Sequence, residues 1–82
     1  MSTKFFGGAA VWAGASQLQG GYYAILGVQR GEDRSLHAVI RHPSYPTLER
    51  AFEAALGAVE NVVSVSDENL ITLAGGQEIQ AA

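Results

Sequence analysis

The stretch GGYYAILGVQ, residues 20–29, decides the fold that this sequence predicts. Its two glycines can supply the positive φ angles that a tight hairpin turn needs. After them, even-numbered positions from Tyr22 to Val28 would point to one face of a strand, and odd-numbered positions from Tyr23 to Gln29 to the other. Both sets contain apolar residues, so the stretch predicts the central strand of a small sheet.

The segments on either side predict the neighbouring strands of a meander. Residues 5–15 are rich in glycine and apolar side chains and predict a first strand, bulged near Gly7 and Gly8. Residues 16–21 predict the turn that follows. Residues 30–34, RGEDR, predict a second turn, and residues 35–42, SLHAVIRH, alternate as a half-buried strand does.

One amphipathic helix is predicted after the third strand. Pro43 ends the sheet, Ser44 is the expected N-cap with Pro46 in the first turn, and the helix runs to about Asn61. A helical apolar stripe is formed by Leu48, Ala51, Phe52, Ala55, Leu56 and Val59. A separate acidic face is formed by Glu49, Glu53 and Glu60.

The remaining sequence predicts a closing strand and a frayed tail. Residues 62–66 and 69–73 are apolar and β-branched, and predict one strand, or two pieces joined at Asp67–Glu68, that completes the sheet. Residues 75–82 are expected to fray. The sequence therefore predicts a single α+β domain with its ordered core at about 4–74, a two-layer sandwich in the order β-β-β-α-β.

Composition excludes several classes of function. The 82 residues contain no cysteine, which excludes thiolate metal sites and thiol nucleophiles and favours a reducing, cytoplasmic location. Five Lys and Arg residues and a net charge of −3 do not favour direct nucleic-acid binding. Residues 1–17 have some signal-peptide character, but a first strand is the preferred interpretation. No apolar run is long enough to predict a membrane span.

The sequence predicts no catalytic residue, cofactor or metal site. His37 and His42 would point to opposite faces of a strand, so a shared metal is not expected. No serine lies in a nucleophile elbow, and the paired glycines are interpreted as turns rather than as a phosphate-binding loop.

Part of the sequence resembles the first half of the ribonuclease H-like fold. The resemblance rests on the GGYYAIL strand, on Glu49 at the start of LERAFEAAL, and on Asp67 after VVSVS. It implies a β-β-β-α-β order and a metal-dependent nuclease. The first strand, however, has no counterpart of the aspartate that binds the catalytic metal ions in that family, so only Glu49 and Asp67 could serve a degenerate domain.

A small non-enzymatic module that binds another protein is the function the sequence favours. Charged residues make up only 16% of the chain, against about 25% in typical domains, which indicates a surface covered by a partner or a second subunit. In size and composition the chain resembles the small inhibitors of phages and mobile elements, anti-CRISPR proteins included. It would regulate or inhibit a larger complex by steric blocking, and an inhibitor that dimerises through its sheet is compatible with this role. A self-assembling structural subunit and a degenerate nuclease are the alternatives. The expected partner-binding residues are Trp12, Tyr22, Tyr23, Glu49, Glu53 and Glu60.

Overall fold

The computed structural model describes residues 3–32 and 34–82; Met1, Ser2 and Asp33, the last within the turn predicted at 30–34, lie outside the described residues. The elements are β1 (Lys4–Phe6), β2 (Ala9–Leu18), β3 (Gly21–Arg30), β4 (Arg34–Tyr45), α1 (Leu48–Glu60), β5 (Val62–Val65), β6 (Leu70–Leu73) and β7 (Glu78–Gln80). The α+β prediction is confirmed: an antiparallel sheet of four strands, one helix and an antiparallel sheet of three strands make up the described chain.

The first sheet is a meander in the order β1-β2-β3-β4, with β3 in the interior as predicted. The single bulged strand expected over residues 5–15 is wrong. Gly7 adopts a φ of 58°, and the chain reverses at Gly7–Gly8, so that β1 and β2 form a hairpin with Phe6 paired to Ala9. β2 then continues to Leu18, which leaves only Gln19 and Gly20 for the turn before β3.

The helix confirms the predicted element but corrects its N-cap. Ser44 is not the cap, because β4 continues to Tyr45, which pairs with Tyr22 of β3. Thr47 takes that position, and its side-chain oxygen accepts a hydrogen bond from the Arg50 backbone N–H at 3.1 Å. The helix ends at Glu60 with Asn61 as its C-cap, close to the predicted boundary.

The prediction that the strands after the helix complete the first sheet is wrong. These strands form a second sheet. β5 and β6 are two pieces joined through the predicted turn at Asp67–Glu68, and β6 also pairs with β7. The prediction that residues 75–82 fray is therefore wrong. Residues Glu78–Gln80 form β7, and Ala81 is buried. Ala82 exchanges two backbone hydrogen bonds with His37, at 2.9 and 3.2 Å. These pairings are long-range, so local composition does not reveal them.

The core lies between one face of the first sheet and a layer made by α1 and the second sheet. The buried cluster joins residues of β2, β3 and β4 to residues of the helix and the second sheet, namely Ala9, Val11, Leu26, Val28, Ala38, Val59, Val62, Ile71, Leu73 and Ala81. Ala51 and Ala55 of α1 are also fully buried. The opposite face of the first sheet is open.

Two basic side chains connect the layers through hydrogen bonds. Lys4 donates from Nζ to the carbonyl oxygens of Glu60, at 2.5 Å, and Val62, at 3.3 Å, where the helix ends. Arg30 donates from Nε to Asn69 Oδ1 and from a terminal nitrogen to the Ser66 carbonyl oxygen, both at 2.5 Å. The Glu60 carbonyl oxygen is one of the acceptors that a helix leaves free at its C-terminal end, and the Arg30 contacts connect β3 to the turn after β5.

No helix in residues 3–32 and 34–82 is long and apolar enough to cross a lipid bilayer.

Candidate functional site

The two edges of the first sheet differ in how far they are protected. At the β4 edge, residues 41–44 bulge opposite the single residue Tyr23, and the segment includes Arg41 and Pro43. His37 on the same strand is held by Ala82. Bulges, prolines, charged side chains and covering segments all hinder the addition of a further strand.

The other edge is open along most of β2. β1 pairs only with Ala9–Val11, and no strand of the described chain lies beside residues 12–18. These seven residues, WAGASQL, contain no charge and no proline. They belong to a long strand that is paired on its other side with β3 throughout. This segment, residues 12–18, is called the free β2 edge below.

The hairpin registers show which backbone groups face outward at the free β2 edge. In an antiparallel pair, residues alternate between those that exchange hydrogen bonds with the partner and those that point away. Leu18 pairs with Gly21 across a two-residue turn, so even-numbered β2 residues bond to β3. Ala13, Ala15 and Gln17 therefore direct their N–H and C=O groups toward the open side. The pairing of Ala9 and Val11 with β1 agrees with this alternation.

An apolar groove of about 500 Å³ runs where α1 passes over this edge, lined by Gly14, Ala15, Leu48, Glu49 and Phe52. Leu48 is 50% exposed and Phe52 41% exposed. The sequence placed both in the apolar stripe of the helix, but β2 is the last strand of the described chain at this point, so no further strand covers these two side chains. The groove thus has small residues as its floor and large apolar side chains as its wall.

A ridge of carboxylates follows the apolar wall around the helix. Glu49, Glu53 and Glu60 are all exposed and lie within about 40° of one another around the axis. Glu49 itself lines the groove. The opposite flank of α1, with Ala54 and Ala58, faces β4 and the second sheet. The acidic ridge, defined as Glu49, Glu53 and Glu60, therefore lies on the flank of α1 away from β4, and its Glu49 end lies at the free β2 edge.

The open face of the sheet carries a row of three paired positions, Trp12, Gly27 and His37. The Trp12 indole occupies the space that a side chain at Gly27 would fill. Its ring meets the His37 ring edge-on, with the centroids 5.4 Å apart and the planes at 87°. Trp12 is therefore half-buried against its own sheet, and its outer surface borders the free β2 edge.

The six expected partner-binding residues do not form one continuous patch. Trp12 and Tyr23 share the open face, by strand alternation, whereas Tyr22 points toward the face that the helix covers. Glu49 lies at the groove, and Glu60 at the far end of α1, where its backbone oxygen accepts from Lys4. The composition gave no sign of the groove itself, because Leu48 and Phe52 have the spacing of ordinary core residues.

The carboxylates suggested by the ribonuclease H-like resemblance lie on separate elements. Glu49 is in the first turn of α1, and Asp67 is in the turn between β5 and β6, strands that pair in the second sheet. Within the described residues, no three His, Asp or Glu side chains are grouped so that they could hold a metal ion.

A second cleft, of about 400 Å³, lies between β4, α1 and the second sheet. His42, Tyr45, Asn61 and Gln77 contribute its polar lining, above an apolar floor that includes Ile40 and Leu73. Its side chains can donate and accept hydrogen bonds.

Comparison of the chain with protein-family models, with curated proteins and with solved structures finds no match.

Proposed function

We propose that this protein is a non-enzymatic binding module that regulates or inhibits a larger protein or complex by steric blocking. The observation that supports the proposal best is the free β2 edge, where outward-facing backbone groups lie beside the exposed Leu48 and Phe52. Unpaired strand edges and exposed apolar side chains are both features of protein-interaction surfaces.

The size of the molecule is compatible with steric blocking. A standard protein interface covers about 800 Å² on each partner, roughly a sixth of this chain's accessible surface of 5014 Å². The rest of the molecule, which measures 34 × 30 × 23 Å, would project from the bound partner and obstruct neighbouring sites. Small inhibitors made by phages and mobile elements, anti-CRISPR proteins among them, are the class to which this proposal points.

A pull-down followed by reconstitution tests the proposal. The tagged protein is incubated with lysate of its host cells, and the retained proteins are identified by mass spectrometry. The candidate partner is then purified, and its activity is titrated with the chain. We expect a stable complex and loss of partner activity that is complete at a fixed stoichiometry. A purified partner that binds but keeps its full activity would contradict inhibition, and retention of no protein at low salt would contradict the binding function.

Self-assembly through the free β2 edge is a second candidate, favoured by the absence of charge in residues 12–18. Light scattering of the purified chain over a wide concentration range distinguishes the two. A strictly monomeric particle would exclude a structural subunit and leave the binding module in place.

A further inference from the structure

We infer that the free β2 edge receives an extended segment of the partner protein as an added antiparallel strand, and that this segment carries Lys or Arg on the side facing α1. The inference rests on the proposed function and specifies where binding occurs and what is bound. It derives from the open backbone groups, the apolar groove and the Glu49 end of the acidic ridge, which lie side by side.

The backbone supplies the first part of the recognition. Ala13, Ala15 and Gln17 offer three N–H and three C=O groups to an added strand. The side chains at the middle of the edge, at Ala13, Gly14 and Ala15, are small, so another backbone can approach without displacing them. Binding by strand addition obtains its affinity from such main-chain hydrogen bonds and its specificity from the side chains that alternate on either face.

The helix supplies the second part. Side chains on the helix-facing side of an added strand would meet Leu48 and Phe52 first and the carboxylates of Glu49 and Glu53 beyond them. Lys and Arg fit an apolar surface with carboxylates beyond it, because their aliphatic stems pack on the apolar surface while their charged groups reach outward. A guanidinium or ammonium group can also lie against the Phe52 ring. An acidic segment would instead meet like charges.

The same charges disfavour a second copy of this chain as the occupant. Two copies joined edge to edge about Ala15 would place both helices on the same face of a continuous sheet, with the two acidic ridges on either side of the seam. Each copy also has a net charge of −3. Charge complementarity therefore selects a basic segment of another protein.

The test uses a phage-displayed library of random linear peptides selected on the immobilised chain. We expect the selected peptides to alternate β-branched or aromatic residues with Lys or Arg. Synthetic copies of them should bind with an affinity that falls as salt is raised, and should change Trp12 fluorescence. A library selected on the Glu49→Lys, Glu53→Lys variant should lose the basic residues and gain acidic ones.

Proline substitutions separate strand addition from other modes of binding. The N–H groups of Ala15 and Gln17 point away from β3, so Ala15→Pro and Gln17→Pro remove no hydrogen bond of the sheet. We expect each to weaken peptide binding about tenfold or more. Ala15→Ser and Gln17→Ser, which keep the N–H, are the matched controls, and circular dichroism establishes that all four variants are folded.

Three results would overturn the inference. Selected peptides that bind the two proline variants and the wild type with equal affinity would place binding elsewhere. A lysate partner retained equally by all three proteins would do the same, but it would leave the proposed function intact. A library that yields no binding peptide, or acidic ones, would contradict the stated chemistry. Light scattering that shows a dimer lost in Ala15→Pro would assign the edge to a second copy.

Discussion

The indole of Trp12 lies over Gly27, its paired residue on the neighbouring strand, in the space that any side chain at position 27 would fill. The absence of a side chain at Gly27 thus lets a large aromatic residue lie flat on the sheet. Flat packing also gives the indole its edge-on contact with His37. Trp12, Gly27 and His37 thus connect β2, β3 and β4 on the open face of the sheet.

Gly27→Ala should destabilise the protein, because the new Cβ overlaps the Trp12 ring. We expect the free energy of unfolding to fall by about 1–3 kcal/mol, measured by urea denaturation. In a Trp12→Leu background the same substitution should cost markedly less, which a double-mutant cycle would show. Gly57→Ala is the control: a Cβ there meets no atom within 4 Å on an exposed part of α1, so it should stabilise by about 0.5–1 kcal/mol. An equal loss in both backgrounds would contradict the overlap.

Arg30→Met should loosen the turn between β5 and β6. It removes the donors to Asn69 Oδ1 and to the Ser66 carbonyl, and Asn69 is only 5% exposed. A buried acceptor left without a partner costs about 1–3 kcal/mol. Hydrogen exchange should accelerate at the Ala81 amide, which donates to the Asn69 carbonyl at 3.0 Å. Arg41→Met, at an exposed position, should change neither quantity, and unaltered exchange in Arg30→Met would contradict the tethering role.

Lys4→Met should weaken the C-terminal end of α1. The Lys4 ammonium group donates to the Glu60 and Val62 carbonyl oxygens. A cation at the C-terminal end of a helix also interacts favourably with the helix dipole. We expect a loss of about 1 kcal/mol in urea denaturation. Arg34→Met removes an exposed cation of the same sheet and serves as the control for net charge. Equal losses in the two variants would show that overall charge, rather than the helix end, is responsible.

Ala81→Asp and Ala82→Asp should differ sharply although they are neighbours. Ala81 is 4% exposed within the core cluster, whereas Ala82 is exposed and bonds to His37 only through its backbone. A carboxylate buried at position 81 should cost about 2 kcal/mol or more, and one at position 82 less than about 0.5 kcal/mol. Thermal unfolding monitored by circular dichroism compares them. Similar midpoints would mean that the end of the chain does not pack as described.

Local signals account for the parts of the fold that the sequence predicted. The Gly20–Gly21 turn, the two-sided apolar character of β3 and the apolar stripe of α1 all depend on residues close together in the chain. The N-cap was misplaced by three residues, because Ser44 and Thr47 are both good caps and only the pairing of Tyr45 with Tyr22 excludes the first.

Long-range geometry accounts for what the sequence did not predict. Nothing local to residues 78–80 indicates pairing with β6, and nothing local to Trp12 places it opposite Gly27. The exposure of Leu48 and Phe52 depends on where β2 lies beneath the helix. The groove of the candidate site could therefore not be derived from periodicity, whereas the exposed acidic residues beside it could.

The unequal edges of the first sheet determine how many strands this molecule can accept. β4 is bulged at residues 41–44 and held at His37 by Ala82, while residues 12–18 of β2 are open. A unit that can be extended on both sides propagates into a filament, but a unit that can be extended on one side has a valence of one. At high concentration this protein should therefore form no filament. With its partner it should form discrete complexes of fixed stoichiometry.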